Sequence, residues 1–289
     1  MSMFRNRSLI VCFFALYLLF LPASNSARCQ TQSASDPTAT SGHHAQRTLW
    51  IVGDSTANNE WNGGWGQSIA ALLNPDQVQV ENRAKAGSSS RTFYHEQRWQ
   101  SVFSSLQAGD WVLIAFGHND GGPVGSPKYR GSLPGLSDEE QTVELADHSS
   151  ETVHTYGWYV RRMITDARSK GAHPVLVGVT VRDIWTANHI ERVMGQFNEW
   201  DRQLAKEEHI PFLDLTDLMA DRFEQLGQKE VMPLFPKDHT HNSPEGGRMN
   251  AEGVVACLKR LHPWHNKHFY SQAGQQIHPA SHAMVAQAH

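Results

Sequence analysis

Five short apolar runs, each bounded by turn residues, punctuate the chain between residues 47 and 262: Leu49–Val52, Val78–Glu81, Trp111–Phe116, Pro174–Val181 and Pro211–Leu215. Two of them, Trp111–Phe116 (WVLIAF) and Val175–Val181 (VLVGVTV), are continuously apolar instead of alternating, which is the pattern of strands buried on both faces. Helical segments lie between the runs, at Gly66–Leu73, Val153–Lys170, Met194–Glu208 and Ala251–Leu261. The second is followed by Gly171, placed where a helix commonly ends on a left-handed glycine. Strands alternating with helices predict parallel pairing through right-handed crossovers, hence a three-layer α/β/α sandwich. In open sheets of this kind chemistry sits outside the carboxyl ends of the strands, so the residues just after each strand carry the functional prediction.

Those residues are polar and glycine-bearing. Gly53-Asp54-Ser55-Thr56 follows the first run, Asn82 to Ser90 (NRAKAGSSS) the second, and Gly117-His118-Asn119-Asp120 the third. Arg182-Asp183-Ile184-Trp185 follows the fourth, and Lys237-Asp238-His239-Thr240-His241 stands ahead of the last helix. A serine hydroxyl attacks only when a neighbouring base takes its proton. Asp238 and His241, three residues apart, let a carboxylate hold one nitrogen of the ring while the other faces Ser55, so the order Ser, Asp, His completes a candidate triad. Acyl transfer also needs donors aimed at the developing oxyanion; the backbone N–H groups of Ser55 and Gly87 and the side-chain amide of Asn119 are the candidates. Taken singly, Ser55 reads first as a cap or turn hydrogen bonder, and Asn119 has a cap or turn reading and Gly87 a left-handed turn reading beside the catalytic one. A metal site at Asp238, His239 and His241 is the rival reading, with no H-E-x-x-H or C-x-x-C motif beside it. The G-x-S-x-G elbow of ordinary α/β-hydrolases is absent from the 289 residues.

Composition narrows the class. With 39% hydrophobic and 19% charged residues the chain is neither a disordered tail nor a coiled coil. A formal charge of −4 lacks the basic footprint of a nucleic-acid binder. At the start, Arg5 and Arg7 precede a 13-residue apolar run, Leu9–Leu21, and the small-residue stretch 23–27. That is the anatomy of a secretory signal over residues 1–27; an uncleaved anchor is the alternative, although the run is shorter than the roughly 20 residues a membrane-spanning helix needs. The expected chain is therefore secreted, to the medium or the periplasm, with no membrane attachment after cleavage. Residues 28–46 read as a linker, 47–263 as the catalytic domain, and 264–289, with five histidines at irregular spacing, as a solvated polar tail. Of three cysteines, Cys12 leaves with the signal, while Cys29 and Cys257 remain and are free to pair in an oxidising compartment.

Gly53-Asp54-Ser55, Gly87, Gly117-x-Asn119-Asp120 and Asp238-x-x-His241, in that order, resemble the four blocks of the SGNH (GDSL-type) hydrolases. Within them the stretches GDSTANN, GGWGQ, FGHNDGG and FPKDHTHNSPEGGRMNAEGV are most similar to rhamnogalacturonan acetylesterases, over roughly Leu49 to Leu261. The resemblance implies a flavodoxin-like sandwich on a five-stranded parallel sheet. It implies Ser55 as nucleophile, His241 as base and Asp238 as its orienter, with Ser55, Gly87 and Asn119 lining the oxyanion hole. No metal or organic cofactor is implied. Its substrate would be an acetylated polysaccharide; other SGNH esterase activities, on acetylxylan or short-chain lipid and aryl esters, and a non-catalytic glycan-binding module are the alternatives. The family often carries an arginine after the second-block glycine; here Ser88 stands there, with Arg91 nearby. Asp54 and Asp120 read as loop-fixing hydrogen bonders. Trp61, Trp65, Arg91 and Trp185 are candidate substrate contacts, and the long insertion Gly121–Glu151 is a candidate wall of a groove.

Overall fold

A computed structural model describes residues 46–286, apart from 126 and 193. The signal and nearly all of the linker, Cys29 and His289 lie outside the described residues. Among the described residues ten strands occur in chain order: β1 Arg47–Gly53, β2 Val78–Asn82, β3 Trp111–Ala115, β4 Glu140–Glu144, β5 Ser150–His154, β6 His173–Val177, β7 Trp185–Thr186, β8 His189–Ile190, β9 Phe212–Leu213 and β10 Val285–Ala286. Six of them form the central sheet in the order β10-β9-β6-β3-β1-β2. From β9 to β2 the pairing is parallel, with Leu49 opposite Val80 and Trp111, and Leu113 opposite Val175. Its five parallel strands run in the flavodoxin-like order, whose reversal point lies between β1 and β3.

Continuous apolarity in the sequence becomes two cores. Leu49, Ile51, Leu113, Val175, Val177 and Leu213 point to one face, under the helices Leu215–Leu226 and Pro244–Leu258. Trp50, Val52, Val112, Ile114, Leu176 and Phe212 point to the other, under Tyr156–Ser169 and Gly195–Glu207. Alternate residues of each strand thus feed opposite cores, as the period of two requires.

Where boundaries differ from expectation, hydrogen bonding decides. The helix expected from Val153 starts at Tyr156, because 153 and 154 pair with Gln141 and Glu140 in a hairpin and Thr155 caps the helix by accepting from Trp158 N at 3.1 Å. It runs to Ser169, and Gly171 takes the expected left-handed conformation at φ 72°. The helix expected from Ala251 starts seven residues earlier, at Pro244, behind the Ser243 cap. Gly246 and Gly247 argue against helix by propensity, yet a Cβ on Gly247 would lie 2.4 Å from the Gly63 carbonyl. That glycine is a close-packing point between the helix Pro244–Leu258 and the loop carrying Ser55. The fourth apolar run leaves the sheet at Val177, and Val179 and Val181 stay buried beyond it.

The C-terminal stretch is a correction. Instead of forming a solvated tail, residues 264–286 pack on the domain. Trp264, Phe269, Tyr270, Ala280 and Val285 are buried, and β10 adds an antiparallel edge beside β9. The histidines at 265, 268, 278 and 282 are exposed between these anchors. Lys259 further ties the segment down by donating to the Gly274 carbonyl at 2.8 Å. Cys257 is buried and has no disulfide partner among the described residues, and burial pushes its thiol up to about 12. Among the described residues no helix is long and apolar enough to cross a membrane.

Candidate active site

The carboxyl ends of β1 and β3 meet at the reversal point, and the loops that follow them are stitched together by their own polar groups. Asp54 accepts from the Thr56 N–H and hydroxyl, both at 2.8 Å, which fixes the turn that carries Ser55. Burial pushes the Asp54 carboxyl up from its ordinary value against those two bonds. Asn59 donates to the Ser55 carbonyl at 2.9 Å and accepts from Gly63 N at 2.9 Å. Gln67 accepts from Asn59 N and Gly64 N and donates to the Asn59 carbonyl. The sequence GDSTANNEWNGGWGQ is thus a closed network in which Asn59 and Gln67 serve as internal struts. The close approach of Gly64 to the Ala57 carbonyl, 2.5 Å from a would-be Cβ, excludes any side chain there.

Four further loops join it. The second is held by Lys85 N donating to Gly53 O at 3.0 Å. Asn119 of the third donates to Ser88 O at 2.7 Å, linking the second and third loops. Asp120 accepts from Ser90 N, the Ser90 hydroxyl and the Ser132 hydroxyl. Burial raises the Asp120 carboxyl to about 6 despite these donors. Both block aspartates therefore have loop-fixing partners. Asp183 N donates to His239 O at 2.7 Å, bringing the loop that holds Trp185 to the histidine loop.

Across this frame Ser55 Oγ lies 2.8 Å from His241 Nε2, although 186 positions separate the two residues. His241 Nδ1 lies 2.7 Å from Asp238 Oδ2, while Asp238 Oδ1 accepts from Thr240 N and His241 N at 2.7 and 2.8 Å. Partial desolvation raises the Asp238 carboxyl, but the bonds from the His241 ring and the two N–H groups outweigh it and bring it down to about 2. A carboxylate ionised at any working pH accepts the Nδ1 proton and leaves Nε2 free to accept from Ser55. Trp61 stands edge-on to the imidazole, centroids 5.4 Å apart, and donates to Asn242 O at 3.0 Å, so the ring has a wall on one side.

Gly87 has φ 83°, a conformation that favours glycine. Among the described residues neither its N–H nor that of Ser55 donates to a protein acceptor, as donors reserved for a ligand oxygen must not. Asn119 spends one amide hydrogen on Ser88 and has a second to offer. Ser55, Gly87, Asn119, Asp238 and His241 thus lie on loops that converge on one edge.

Two of the four candidate substrate contacts are elsewhere. Trp65 is 1% exposed and belongs to the core beneath the Ser55 loop, its backbone N–H donating to Thr56 O at 3.0 Å. Arg91 is wholly buried: it makes a two-pronged ion pair with Glu151 at 2.7 and 2.9 Å and donates to the carbonyls of Val124 and Gly131. A guanidinium with its donors so engaged cannot turn to a sugar without leaving an unpaired buried charge, and its work is to fasten the long insertion. Trp61 and Trp185 are half-buried, the latter donating to Asp183 Oδ1 at 2.7 Å. The insertion contributes the β4–β5 hairpin and the segment around Arg130, whose guanidinium donates to Gly87 O at 3.3 Å.

Sequence reading passed over His118. Its Nε2 lies 3.1 Å from Thr180 Oγ1, and burial, with the charges of Arg182 and His241 adding to it, lowers the ring to about 3, so it is neutral. Its place in the third block was the one available signal. Among the described residues no three His, Cys, Asp or Glu side chains are grouped to share a metal ion, and His239 is exposed.

A parallel α/β sheet with a serine, an imidazole and a carboxylate in hydrogen-bonded line at its carboxyl edge defines the class: a serine-type carboxylic ester hydrolase. Residues 51–249 match the GDSL-like lipase/acylhydrolase family, and the chain belongs to that family. It is 32% identical over 213 residues to a rhamnogalacturonan acetylesterase of Emericella nidulans, covering 73% of this chain and 84% of that one. It is 29% identical over 248 residues to the rhamnogalacturonan acetylesterase RhgT of Bacillus subtilis, covering 79% and 96%. Among solved structures it is similar to YxiM of Bacillus subtilis, at a TM-score of 0.60 and 24% identity over 74% of this chain, spanning 56% of that longer one. The acetylxylan esterase Axe2 of Geobacillus stearothermophilus shares the fold at a TM-score of 0.52 and 16% identity, over 72% and 92% of the two chains.

Proposed function

We propose that this chain is a secreted carbohydrate esterase that removes O-acetyl groups from a pectic polysaccharide of the rhamnogalacturonan type. The unbroken line from Ser55 Oγ through the His241 ring to Asp238 carries the reading. The named relatives supply the substrate class, and the leader-like first 27 residues support export. In the proposed reaction His241 Nε2 takes the Ser55 proton as Oγ attacks the acetyl carbonyl. The N–H groups of Ser55 and Gly87 and the Asn119 amide hold the oxyanion. His241 then protonates the departing sugar oxygen, giving a free hydroxyl and an acetyl-serine. Water, deprotonated by the same nitrogen, releases acetate and restores Ser55. No step calls for a metal or cofactor.

Acetate release from a panel of acetylated rhamnogalacturonan, acetylated xylan and longer acyl esters tests the substrate. Highest kcat/KM on the pectic polymer is expected; a preference for xylan or for long acyl chains overturns the pectic assignment. Asn119→Ala is expected to lower kcat by about 10²–10³ with little change in KM, as loss of one oxyanion donor does. Single-turnover acylation measurements check this, and an effect confined to KM removes Asn119 from the oxyanion hole.

A further inference from the structure

Beside the oxyanion loop lies a cleft of about 290 Å³ with three cations on its walls, Lys85, Lys128 and Arg130, and a single acid, Glu96. Glu96 is already paired with Arg98 at 2.8 Å. Among the described residues neither the Lys85 nor the Lys128 ammonium group has an ion-pair or hydrogen-bond partner, and the Arg130 guanidinium donates only to Gly87 O. The chain as a whole carries more acids than bases, 29 against 25, so this is a local reversal of its charge. Gly87 lies on the cleft wall and offers its N–H to the reacting carbonyl, so a group seated in the cleft is a near neighbour of the ester at Ser55.

Concentrated unpaired cations in a concave site raise the local concentration of anions and hold a carboxylate better than any neutral sugar. The volume sits at the lower end of small-ligand pockets, about 300 Å³, which suits one sugar unit and not a chain of them. We propose that Lys85, Lys128 and Arg130 form a carboxylate subsite, holding a uronate unit adjacent to the acetylated sugar. This rests on the polysaccharide-esterase reading above. Arg130 has a second task here: its bond to Gly87 O couples occupancy of the subsite to the loop bearing an oxyanion donor.

The test compares the enzyme with the double variant Lys85→Gln/Lys128→Gln on three substrates. These are an acetylated pectic polymer with free carboxylates, the same polymer after carboxyl reduction, and 4-nitrophenyl acetate. For each enzyme the polymer kcat/KM is divided by its own value on 4-nitrophenyl acetate. The wild-type ratio is expected to fall with carboxyl reduction and with added salt. In the double variant it is expected to be about tenfold lower, through KM, and to lose most of both dependences, as removal of charges at an exposed rim does. A ratio equal in the two enzymes, or a wild type indifferent to carboxyl reduction, overturns the subsite. Wild-type turnover of 4-nitrophenyl acetate with none on any acetylated polymer overturns instead the substrate reading beneath it.

Discussion

Ser55→Ala is expected to lower kcat on acetyl esters by about 10⁶-fold, the loss seen when a serine nucleophile is removed from a triad that acts as a unit. His241→Ala is expected to cost about as much, and the two together little more than either, since a base without a nucleophile and a nucleophile without a base are equally idle. The structure gives the reason in one distance, 2.8 Å between Ser55 Oγ and His241 Nε2. Ser55 is 8% exposed and its loop is fixed by Asp54, Asn59 and Gln67, so deletion of one hydroxyl leaves the fold intact. The expected Tm is accordingly within about 4 °C of wild type, since the loss of one side-chain hydrogen bond costs about 1 kcal/mol. Burst kinetics with 4-nitrophenyl acetate and mass spectrometry of the quenched enzyme check the assignment. An acetyl group on Ser55 in wild type and none in the variant is expected. A Ser55→Ala enzyme within tenfold of wild type, or an acetyl group on another residue, would sink the proposed mechanism.

The sheet and the Asp238–His241 pair were legible because both follow from short-range rules, while Ser55, 186 positions from His241, was placed beside them by the rule that chemistry sits at the carboxyl ends of the strands. Trp111–Ala115 is buried throughout, and continuous apolarity has few other uses in a run of that length. Asp238 and His241 share one loop, so their pairing needs only local geometry. What was not legible depends on contacts remote in sequence. Arg91 looks like a free cation beside a catalytic loop until Glu151, sixty positions on, takes its Nε and Nη2 and two carbonyls take its Nη1. Trp65 reads as an aromatic platform until the packing beneath β1 claims it. Five apolar residues scattered through a histidine-rich stretch carry no period, yet each finds a slot on a preformed surface and the stretch adds a strand to the sheet. Lys85 and Lys128, more than forty residues apart, become one patch only when the insertion folds back over Gly87.

Asp238→Asn is expected to cost about 10⁴ in kcat while leaving the architecture in place. An amide at 238 can still accept from the N–H groups of Thr240 and His241, the bonds that now hold Oδ1 at 2.7 and 2.8 Å. Its NH₂ then faces Nδ1 and donates to it, so the proton of the neutral ring moves to Nε2. That nitrogen faces Ser55 and, once protonated, cannot take the serine proton. Asparagine also withdraws the charge that stabilises the imidazolium formed during acylation. The substitution has a signature in stability. Asp238 falls from an ordinary 3.8 when unfolded to about 2 in the folded chain. Its ionisation therefore stabilises the fold above pH 4, and that contribution is lost as the pH drops from 4 to 2, where the unfolded chain binds the extra proton. The difference in Tm between wild type and Asp238→Asn should narrow across that window, and only modestly, since the carboxyl is 44% exposed and screened by solvent. A gap that stays constant with pH would mean that the carboxyl has no depressed ionisation. A kcat within tenfold of wild type would mean that His241 keeps its working tautomer without Asp238.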